Sequence, residues 1–463
     1  MSEPAGRAGP LRAEDSIEPL AIVDEGLGNQ SYLVDLGDGR ALVVDPFRHP
    51  ARYLAEADRR RLSVAYAVET HLHADFVSGA RELGGLGATV VGPAAAGHQH
   101  GVRGLADGDE LDLGGLTLRA LATPGHTPEH LAYLLLDGPR PVGLFSGGSL
   151  LVDAVARTDL IAADQTEPLA RALWRSIQTR VLTLPDDVPV YPTHGAGSFC
   201  SAPAGGDRVT TVGRERRANP LLAAPDEDAF VQRLLAGLGT YPPYFLRLRE
   251  VNRQGPRLHG PAEPVLPLLA PSHVSALQAA GAWVIDVRPV QQFARGHLPG
   301  SVSVALRPQF ASWLGWLVPG DAPVVVVAGD GQDRADLLRQ ARNIGYETVL
   351  GELEGGIDAW RASGRPVASV AITPVERFNG PVVDVRQRNE YEVGHVPGAV
   401  PAELGSVTEA ALPSGPVGVM CAHGERAMTA ASLLARGGRA EVTALTGGPE
   451  DWARHHGPLE PGA

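Results

Sequence analysis

The sequence predicts an α/β protein with more than one domain. Its 463 residues exceed the ~100–200 residues that one domain typically contains. In the N-terminal half, apolar strand-like segments alternate with helical segments, which favours a mixed sheet with helices on its faces. Further along, one stretch of sequence recurs, and each copy alternates strands with helices in the way that small parallel α/β domains do.

The composition is typical of a globular protein and excludes several function classes. Hydrophobic residues make up 44% and charged residues 20% of the chain, and the net charge is −13. An acidic chain without a basic cluster argues against nucleic acid or an anionic membrane as the main partner. The chain contains no lysine, which excludes a lysine Schiff base and a Walker A lysine.

Cysteine usage and the N-terminus indicate the compartment. Two cysteines cannot build a disulfide framework for a chain of this length, so we expect a reducing environment. Residues 1–16 are polar and lack the apolar centre of a signal peptide, and no run of ~18 apolar residues predicts a membrane span. We therefore expect a cytoplasmic protein without a membrane partner.

The N-terminal half contains most of the predicted strands and helices. The predicted strands are Ser31 to Val34, Ala41 to Asp45, Val64 to Val68, Thr89 to Val91, Leu116 to Leu121, Ala132 to Leu136 and Val142 to Phe145. The predicted helices are Ala51 to Arg61, Val77 to Gly84 and Glu167 to Thr179. Proline and glycine interrupt every periodic pattern near residues 253–272, so we predict a first domain over residues 1–255 and a linker over residues 256–272.

An internal repeat defines the C-terminal part. Residues 284–304 match residues 382–402, and Asp286-Val-Arg288 recurs 98 residues later as Asp384-Val-Arg386. This spacing is longer than the 20–50 residues of stacked repeats, so we expect two tandem domains, over residues 273–368 and 373–463. Each Asp–Arg pair is expected to stabilise its domain rather than to take part in catalysis.

Histidines and a carboxylate follow three predicted strands. His71, His73 and Asp75 come directly after one strand, and His126 and His194 follow two others. Alternating residues in an extended segment project to one side, so the first three side chains should converge. Imidazole and carboxylate groups are ligands of Zn(II) and of non-haem Fe(II), and the five residues are our candidate metal site.

These motifs carry a family resemblance. THLHADFVSG, TPGHTPE, YPTHGAGSFC and TTVGRERRANP, in this order, resemble bacterial persulfide dioxygenases of the metallo-β-lactamase fold that are fused to rhodanese domains. The resemblance implies an αββα sandwich followed by two rhodanese-like domains, and one Fe(II) per chain. In that family two histidines, which match His71 and His126, and an aspartate bind the iron. By the same analogy His73, Asp75 and His194 support the site.

The sequence departs from the family at two positions. Phe76 stands where dinuclear hydrolases carry a histidine, which argues for a single metal. Gly148 stands where the family has its metal-binding aspartate. His73 could then serve as the third ligand, Asp153 could move in, or metal binding could be weakened or lost. If this alignment holds, restoring the carboxylate with Gly148→Asp should raise the iron content.

Cys421 lies in a second candidate site. The loop Cys421-Ala-His-Gly-Glu-Arg426 links the apolar strand Val417 to Met420 with a helix, so backbone N–H groups and the helix dipole should stabilise a thiolate or a persulfide. Arg426 adds a positive charge. The loop resembles a rhodanese active site, in which the cysteine carries sulfane sulfur. The first copy has Ala328 at this position and should be inactive, as a spacer or docking domain.

Together these features predict a sulfur-metabolism enzyme. The resemblance implies iron-dependent oxidation of glutathione persulfide, or another small persulfide, to sulfite, with sulfur transfer to an acceptor through Cys421. One alternative is a thioester hydrolase of glyoxalase II type, in which Zn(II) replaces iron. Another is a metal-free sulfur carrier that uses Cys421 alone. Cys200 could carry sulfur to the metal or be a small buried residue. Members of the family often form dimers, so a homodimer is one state that the resemblance allows.

Overall fold

The computed structural model describes residues 17–195, 197–200 and 207–462. The N-terminal segment on which the signal-peptide prediction depends lies outside these residues. The chain divides into two compact units, one containing the residues up to Glu263 together with Arg342–Gly345, and the other containing Pro264–Ala341 and the residues from Tyr346 onwards. None of the helices in the described residues is long and apolar enough to cross a bilayer.

Two six-stranded sheets form the first unit. Strands β1 to β3 are antiparallel, and β3 to β6 run parallel, in sequential order. These strands are β1 (Leu20–Asp24), β2 (Asn29–Asp35), β3 (Arg40–Val44), β4 (Ser63–Val68), β5 (Thr89–Pro93) and β6 (Arg103–Leu105).

The second sheet is antiparallel except for the parallel pair β10 and β11, and its order is β12-β11-β10-β9-β8-β7. Its strands are β7 (Glu110–Asp112), β8 (Leu116–Ala122), β9 (Leu131–Asp137), β10 (Arg140–Gly147), β11 (Pro189–Pro192) and β12 (Thr210–Thr211).

An apolar core lies between the two sheets. Tyr32 and Val44 of the first sheet pack in one buried cluster with Leu118, Tyr133 and Phe145 of the second. In β8, buried and partly buried residues alternate, as the two-residue period of a strand dictates.

Helices cover the outer faces of the sheets. The helices of this unit are α1 (Ala51–Arg59), α2 (Ala80–Gly85), α3 (Thr166–Ser176), α4 (Val212–Ala218), α5 (Glu227–Ala236) and α6 (Phe245–Gln254). A second apolar cluster joins α3 and α5 to the outer face of the second sheet. The predicted αββα sandwich is thus confirmed. The helix predicted to end at Thr179 changes at its C-terminal end into a π-helical turn over Ile177–Val181.

The second unit contains two all-parallel five-stranded sheets with the same strand order. Their orders are β13-β17-β16-β14-β15 and β18-β22-β21-β19-β20. The first has β13 (Leu268–Leu269), β14 (Trp283–Asp286), β15 (Val302–Ser303), β16 (Val324–Val327) and β17 (Val349–Leu353), and the second has β18 (Ala371–Pro374), β19 (Val382–Asp384), β20 (Val400–Pro401), β21 (Val417–Met420) and β22 (Val442–Thr446). The equal topology is what the sequence repeat predicts.

Eight helices in the described residues flank these two sheets. They are α7 (Pro271–Ala279), α8 (Val290–Arg295), α9 (Phe310–Leu317), α10 (Arg334–Asn343), α11 (Gly356–Ala362), α12 (Arg388–Val393), α13 (Glu425–Arg436) and α14 (Pro449–His456). Strand β13 and the start of α7 lie inside the segment predicted to be a linker. The first copy therefore begins earlier than the proline and glycine content indicates.

The two Asp–Arg pairs of the repeat occupy equivalent buried positions. Arg288 Nη2 lies 2.6 Å from Asp286 Oδ2, and Arg386 Nη2 lies 2.7 Å from Asp384 Oδ2. Each guanidinium also donates a hydrogen bond of 2.8 Å to a backbone carbonyl eight residues further along the chain. Each pair therefore holds the end of a central strand against the loop that follows α8 or α12.

We expect Arg288→Gln to destabilise the second unit because it leaves the buried carboxylate of Asp286 without its cation. Removing one partner of a buried ion pair typically costs about 3–5 kcal/mol of unfolding free energy. Urea denaturation followed by circular dichroism measures the loss. Arg361→Gln is the matched control, because Arg361 pairs only with Asp358 at the surface of the same copy. Equal stability of the two variants would contradict a structural role for the buried pair.

Candidate metal centre and sulfur-transfer loop

Three histidines converge from the ends of three strands. His71 follows β4, His126 follows β8 and His194 follows β11, and all three are buried. The ring centroid of His71 lies 4.8 Å from that of His126 and 5.6 Å from that of His194, and the latter two are 5.3 Å apart. One nitrogen from each ring lies within 4.8 Å of the other two. The structure thus brings three of the five predicted ligands around one point, and the other two, His73 and Asp75, form a second group with His194 whose ligand atoms also lie within 4.8 Å of one another.

A buried carboxylate fixes the proton position in His71. The Thr70 hydroxyl lies 2.8 Å from Asp45 Oδ2 and 2.8 Å from His71 Nδ1. An ionised carboxylate only accepts hydrogen bonds, so the hydroxyl donates to Asp45 and accepts from Nδ1–H. His71 Nε2 is therefore unprotonated and can donate its lone pair to a metal.

The other two histidines are oriented in the same way. His126 Nδ1 lies 2.7 Å from the carbonyl oxygen of Arg157, which can only accept. His194 Nδ1 lies 3.1 Å from Asn29 Oδ1 and 3.2 Å from Asp75 Oδ2, which are also acceptors. Both rings must carry their proton on Nδ1, and both Nε2 atoms are left as bases.

The resulting donor set fits a divalent transition metal. Nε2 of His71 and of His194 is buried, and neither has a hydrogen-bond partner among the described residues. Burial, followed by the neighbouring imidazoles, lowers the pKa of His71 well below its ordinary value, and burial and His194 lower the pKa of His126 to about 3. Neutral imidazoles with free lone pairs are the form in which histidine binds Zn(II) or Fe(II).

His73 lies beside this group in a different state. Its Nε2 lies 3.2 Å from Asp45 Oδ1 and 3.6 Å from Glu69 Oε2. Burial lowers the pKa of His73, but the two carboxylates, Asp45 above all, outweigh burial and raise it to about 9. Phe76 stacks on the same ring with centroids 4.2 Å apart, and so covers the side where dinuclear hydrolases have a histidine. An imidazolium paired with a carboxylate is a poor third ligand.

The carboxylate of Asp75 contacts the ring of His194. Its Oδ2 accepts a 2.7 Å hydrogen bond from Asn29 and lies against His194 Nδ1. Although burial raises the pKa of Asp75, the hydrogen bonds from His194 and Asn29 help to lower it below its usual range. The buried Cys200 thiol also contacts Asp75, and burial followed by this carboxylate raises its pKa well above the ordinary value. Cys200 thus lies near the histidines as a protonated thiol.

The turn after β10 shows why a side chain at position 148 does not fit. A Cβ atom on Gly148 would lie 2.5 Å from His126 Cδ2, and one on Gly147 would lie 2.5 Å from His130 Nε2. The N–H of Gly148 donates a 3.0 Å hydrogen bond to His130 Nε2. The backbone of this turn lies against the two rings. A side chain at position 148 would displace the ring of His126, which argues against the expectation that Gly148→Asp raises the iron content. Asp153, the other replacement considered, instead pairs with Arg214 at 3.0 Å.

Sequence reasoning missed three buried residues of the site. Asp45, at the end of β3, binds both the backbone and the hydroxyl of Thr70 and also the hydroxyl of Thr193. Asn29 orients His194, and His130 is buried and stacks on His71 with centroids 5.0 Å apart. The position of Asp45 at the end of an apolar strand was the one available signal.

The Cys421 loop forms a donor-lined cradle at the start of α13. The N–H of Gly424 points at Cys421 Sγ, 3.0 Å away, and the thiol is 1% exposed. Arg426 forms a bidentate pair with Glu390, with N–O distances of 2.6 and 2.8 Å. Burial alone lowers the pKa of Arg426, but Glu390 and then Cys421 raise it above the ordinary value. The cradle can hold a thiolate or a persulfide anion.

The equivalent loop of the first copy is filled by its own side chain. Gln332 Oε1 accepts a 2.8 Å hydrogen bond from the N–H of Gly329, and its Nε2 donates a 2.7 Å hydrogen bond to the carbonyl of Val287. Arg334 pairs with Glu352 and donates hydrogen bonds to the carbonyl oxygens of Gly329 and Gln332, so the loop is held closed on itself. With Ala328 at the nucleophile position, this copy has neither the thiol nor an open anion site.

Comparison with known proteins gives the class of the chain. The metallo-beta-lactamase superfamily matches residues 24–194, and the rhodanese-like domain family matches residues 270–363 and 371–455. A metallo-beta-lactamase from Staphylococcus aureus has a similar structure, with a TM-score of 0.65 and 27% identity over 73% of this chain and 99% of that one. The protein thus combines a metallo-β-lactamase fold, which implies a bound metal, with two rhodanese-like domains.

Individual relatives narrow this class to a family. The human mitochondrial persulfide dioxygenase ETHE1 is 30% identical over 232 residues, 49% of this chain and 82% of the relative. A hydroxyacylglutathione hydrolase from Methylococcus capsulatus is 34% identical over 172 residues, 36% of this chain and 62% of that protein. The chain belongs to the family of the ETHE1-type persulfide dioxygenases, and the predicted resemblance is confirmed. The individual ligand and catalytic residues remain predictions.

We expect His194→Ala to lower the affinity for the metal at least about 10-fold, since it removes one of three lone pairs that face the site. His73→Gln should lower the affinity less, because Nε2 of His73 is already paired with the carboxylate of Asp45. Metal titration of the purified apoprotein compares the two variants, with thermal unfolding as a check on folding. Loss of metal from the His73 variant with retention in the His194 variant would contradict this ligand set.

We expect Gly148→Asp to lower metal occupancy rather than raise it, because the new Cβ displaces the ring of His126. Gly148→Ala is the matched control, since it adds the same Cβ without a carboxylate. Elemental analysis of both variants separates the two effects. If the Asp variant binds more metal than the unmodified protein while the Ala variant binds less, the carboxylate is an effective ligand and the steric argument is wrong.

Proposed function

We propose that this sulfur-metabolism enzyme oxidises small persulfides, such as glutathione persulfide, at the histidine site and transfers sulfane sulfur through Cys421. The observation that carries the oxidative part is the convergence of one ring nitrogen from each of His71, His126 and His194 within 4.8 Å of one another. A single metal with open positions is what such a donor set can hold. Family membership supports a sulfur-containing small molecule as the substrate.

The oxidation balances without an additional reductant. A persulfide, dioxygen and water give the thiol, sulfite and two protons, and the outer sulfur loses the four electrons that dioxygen accepts. Fe(II) at the three histidines would supply the redox chemistry that zinc lacks. The residues of the chain orient the imidazoles, through Asp45 and Asp75, and exclude water by burial.

The transfer at Cys421 is an exchange without net oxidation. The Cys421 thiolate attacks the outer sulfur of the persulfide, and the sulfur–sulfur bond of the donor breaks. The released thiolate takes up the proton, and Cys421 holds the sulfur as a persulfide until an acceptor thiol or sulfite removes it. The N–H of Gly424 and the charge of Arg426 stabilise the anion in both states. Sulfite from the first site would give thiosulfate at the second.

A zinc-dependent thioester hydrolase is the second candidate. Three neutral imidazoles with an open fourth position are also the ligand set of hydrolytic zinc sites, where the metal activates a water. The hydroxyacylglutathione hydrolase relative supports this reading. Phe76 argues against a hydrolase with two metals, because it stands where such enzymes carry a histidine that binds the second metal.

Metal analysis together with oxygen uptake tests the oxidative part. Purification under anaerobic conditions with iron should give one iron per chain, and added glutathione persulfide should then consume oxygen and release sulfite. Zinc with turnover of a glutathione thioester would favour the hydrolase. Absence of any bound metal, with sulfur transfer intact, would leave Cys421 as the only active centre.

We expect Cys421→Ser to abolish sulfur transfer, by at least about 100-fold, because a hydroxyl is not a sulfur nucleophile at neutral pH. Oxygen uptake and metal content should stay close to those of the unmodified protein, because Cys421 belongs to the other unit. Cys200→Ser is the matched control for the loss of a buried thiol. Transfer that survives in the Cys421 variant would show that a different group carries the sulfur.

A further inference from the structure

Helix α13, which starts at the Cys421 loop, contacts the inactive first copy along its whole length. The N–H of Ser303 donates a 3.0 Å hydrogen bond to Ser432 Oγ in the third turn. At the C-terminal end, Arg436 lies over the ring of Trp283 at 3.9 Å. In between, Phe293 and Ala294 of α8 share an apolar cluster with Met428 and Ala431 of α13. The first copy therefore supports the helix that carries the active loop.

At the N-terminal end, these contacts reach the loop itself. Arg307 Nη1 lies 3.5 Å from Glu425 Oε1, in the first turn of α13. The guanidinium of Arg426 lies over the ring of Trp313 at 5.9 Å from its centroid, within the range of a cation–π contact. Arg307 and Trp313 both belong to the first copy. Two of the six residues in the loop that begins at Cys421 therefore have a partner there.

Charge balance gives these contacts a chemical consequence. Arg426 is also paired with Glu390, which offsets part of the charge that it offers to Cys421. Glu425 lies four residues after Cys421, in the first turn of the helix that follows the loop. A negative charge close to a thiol raises the pKa of that thiol. Arg307 screens the carboxylate of Glu425. The charged or titratable groups around Cys421 are His423, Glu425 and Arg426 of the loop, Glu390 of α12, Asp384 of β19 and Arg307 of the first copy.

We propose that the first rhodanese-like copy is a positioning domain for sulfur transfer, in which Arg307 screens Glu425 and Trp313 supports Arg426 beside Cys421. This role rests on the proposed transfer function of Cys421, which it extends to residues outside the catalytic copy. The first copy lacks the cysteine and its loop is filled by a side chain, so it is inactive. Its surface that contacts α13 is retained. Arg307 and Trp313 act through other residues and are positioning residues, not catalytic ones.

The pH dependence of Cys421 alkylation in the full-length protein tests the charge argument. Arg307→Gln should move the midpoint of iodoacetamide alkylation to higher pH, because an unscreened carboxylate disfavours the thiolate. Glu425→Gln should move it to lower pH, and the double variant should return towards the unmodified value. Mass spectrometry of the Cys421 peptide separates this thiol from Cys200. An unmoved midpoint in the Arg307 variant, with only the thermal stability changed, would overturn the proposal.

Sulfur transfer from glutathione persulfide to sulfite tests the role of Trp313. Trp313→Ala should lower kcat/KM about 2- to 5-fold, the loss expected for one cation–π contact, and Trp313→Phe should restore most of it. Trp283→Ala is the matched control, because Trp283 stacks on an arginine of the same helix at the far end from Cys421. An equal loss in both alanine variants would mean that the interface acts only as a support, and would overturn the assignment of Trp313.

The transfer function of Cys421 and the positioning role of the first copy can be tested separately. If the unmodified protein transfers no sulfur from persulfide or thiosulfate, the proposed function of Cys421 is wrong. The alkylation profile would still report whether Arg307 and Glu425 set the state of the thiol. If transfer occurs, depends on Cys421 and is indifferent to Arg307 and Trp313, the proposed function stands and the positioning role is wrong.

Discussion

The buried carboxylate of Asp45 is the group on which the geometry of the histidine site depends. It stands at the end of β3 with a left-handed backbone, φ 48°, which a non-glycine residue adopts at a cost. From there it accepts hydrogen bonds from Thr70 after β4 and from Thr193 after β11, so one side chain ties three strand ends together. Burial raises the pKa of Asp45, but the charge of His73 and the hydrogen bonds to it lower it below the ordinary value, so the group stays anionic. An anion at this point fixes the tautomer of His71 and pairs with Nε2 of His73.

Much of this architecture could be predicted from the sequence, because its signals are local. The strands before His71, His126 and His194 are apolar runs that end at a ligand-type residue. Strand β4 lies in the first sheet and β8 and β11 in the second, so the packing of the two sheets brings the three ends together. The two rhodanese-like copies could be predicted from the internal repeat in the amino-acid sequence. The choice among third ligands could not be predicted in this way. It depends on which acceptor faces each Nδ1, and Asn29 and the Arg157 carbonyl reach the rings from distant positions in the chain.

The Gly147-Gly148 turn shows how a local substitution can be misread. In the sequence, Gly148 is a missing ligand, and the natural inference is that the site has a gap. In the structure there is no gap, because the backbone lies against His126 and is held by His130 through a hydrogen bond to the N–H of Gly148. His130 carried no signal of this role, since a histidine four residues after His126 is equally compatible with the surface. The change at one ligand position is accommodated by contacts that only the packed turn reveals.

The charge of the proposed ligands connects this change to the proposed substrate. Two histidines and an aspartate bring one negative charge to a divalent cation, whereas His71, His126 and His194 bring none. The nearest carboxylates, those of Asp45 and Asp75, act through hydrogen bonds to the site's histidines and the residues around them rather than as ligands. A cation held by neutral ligands in a buried site gains more from an anionic partner, because low polarity strengthens the attraction between charges. A persulfide is more acidic than the corresponding thiol and offers such an anion, which makes a neutral three-imidazole set compatible with persulfide chemistry rather than a sign of its loss.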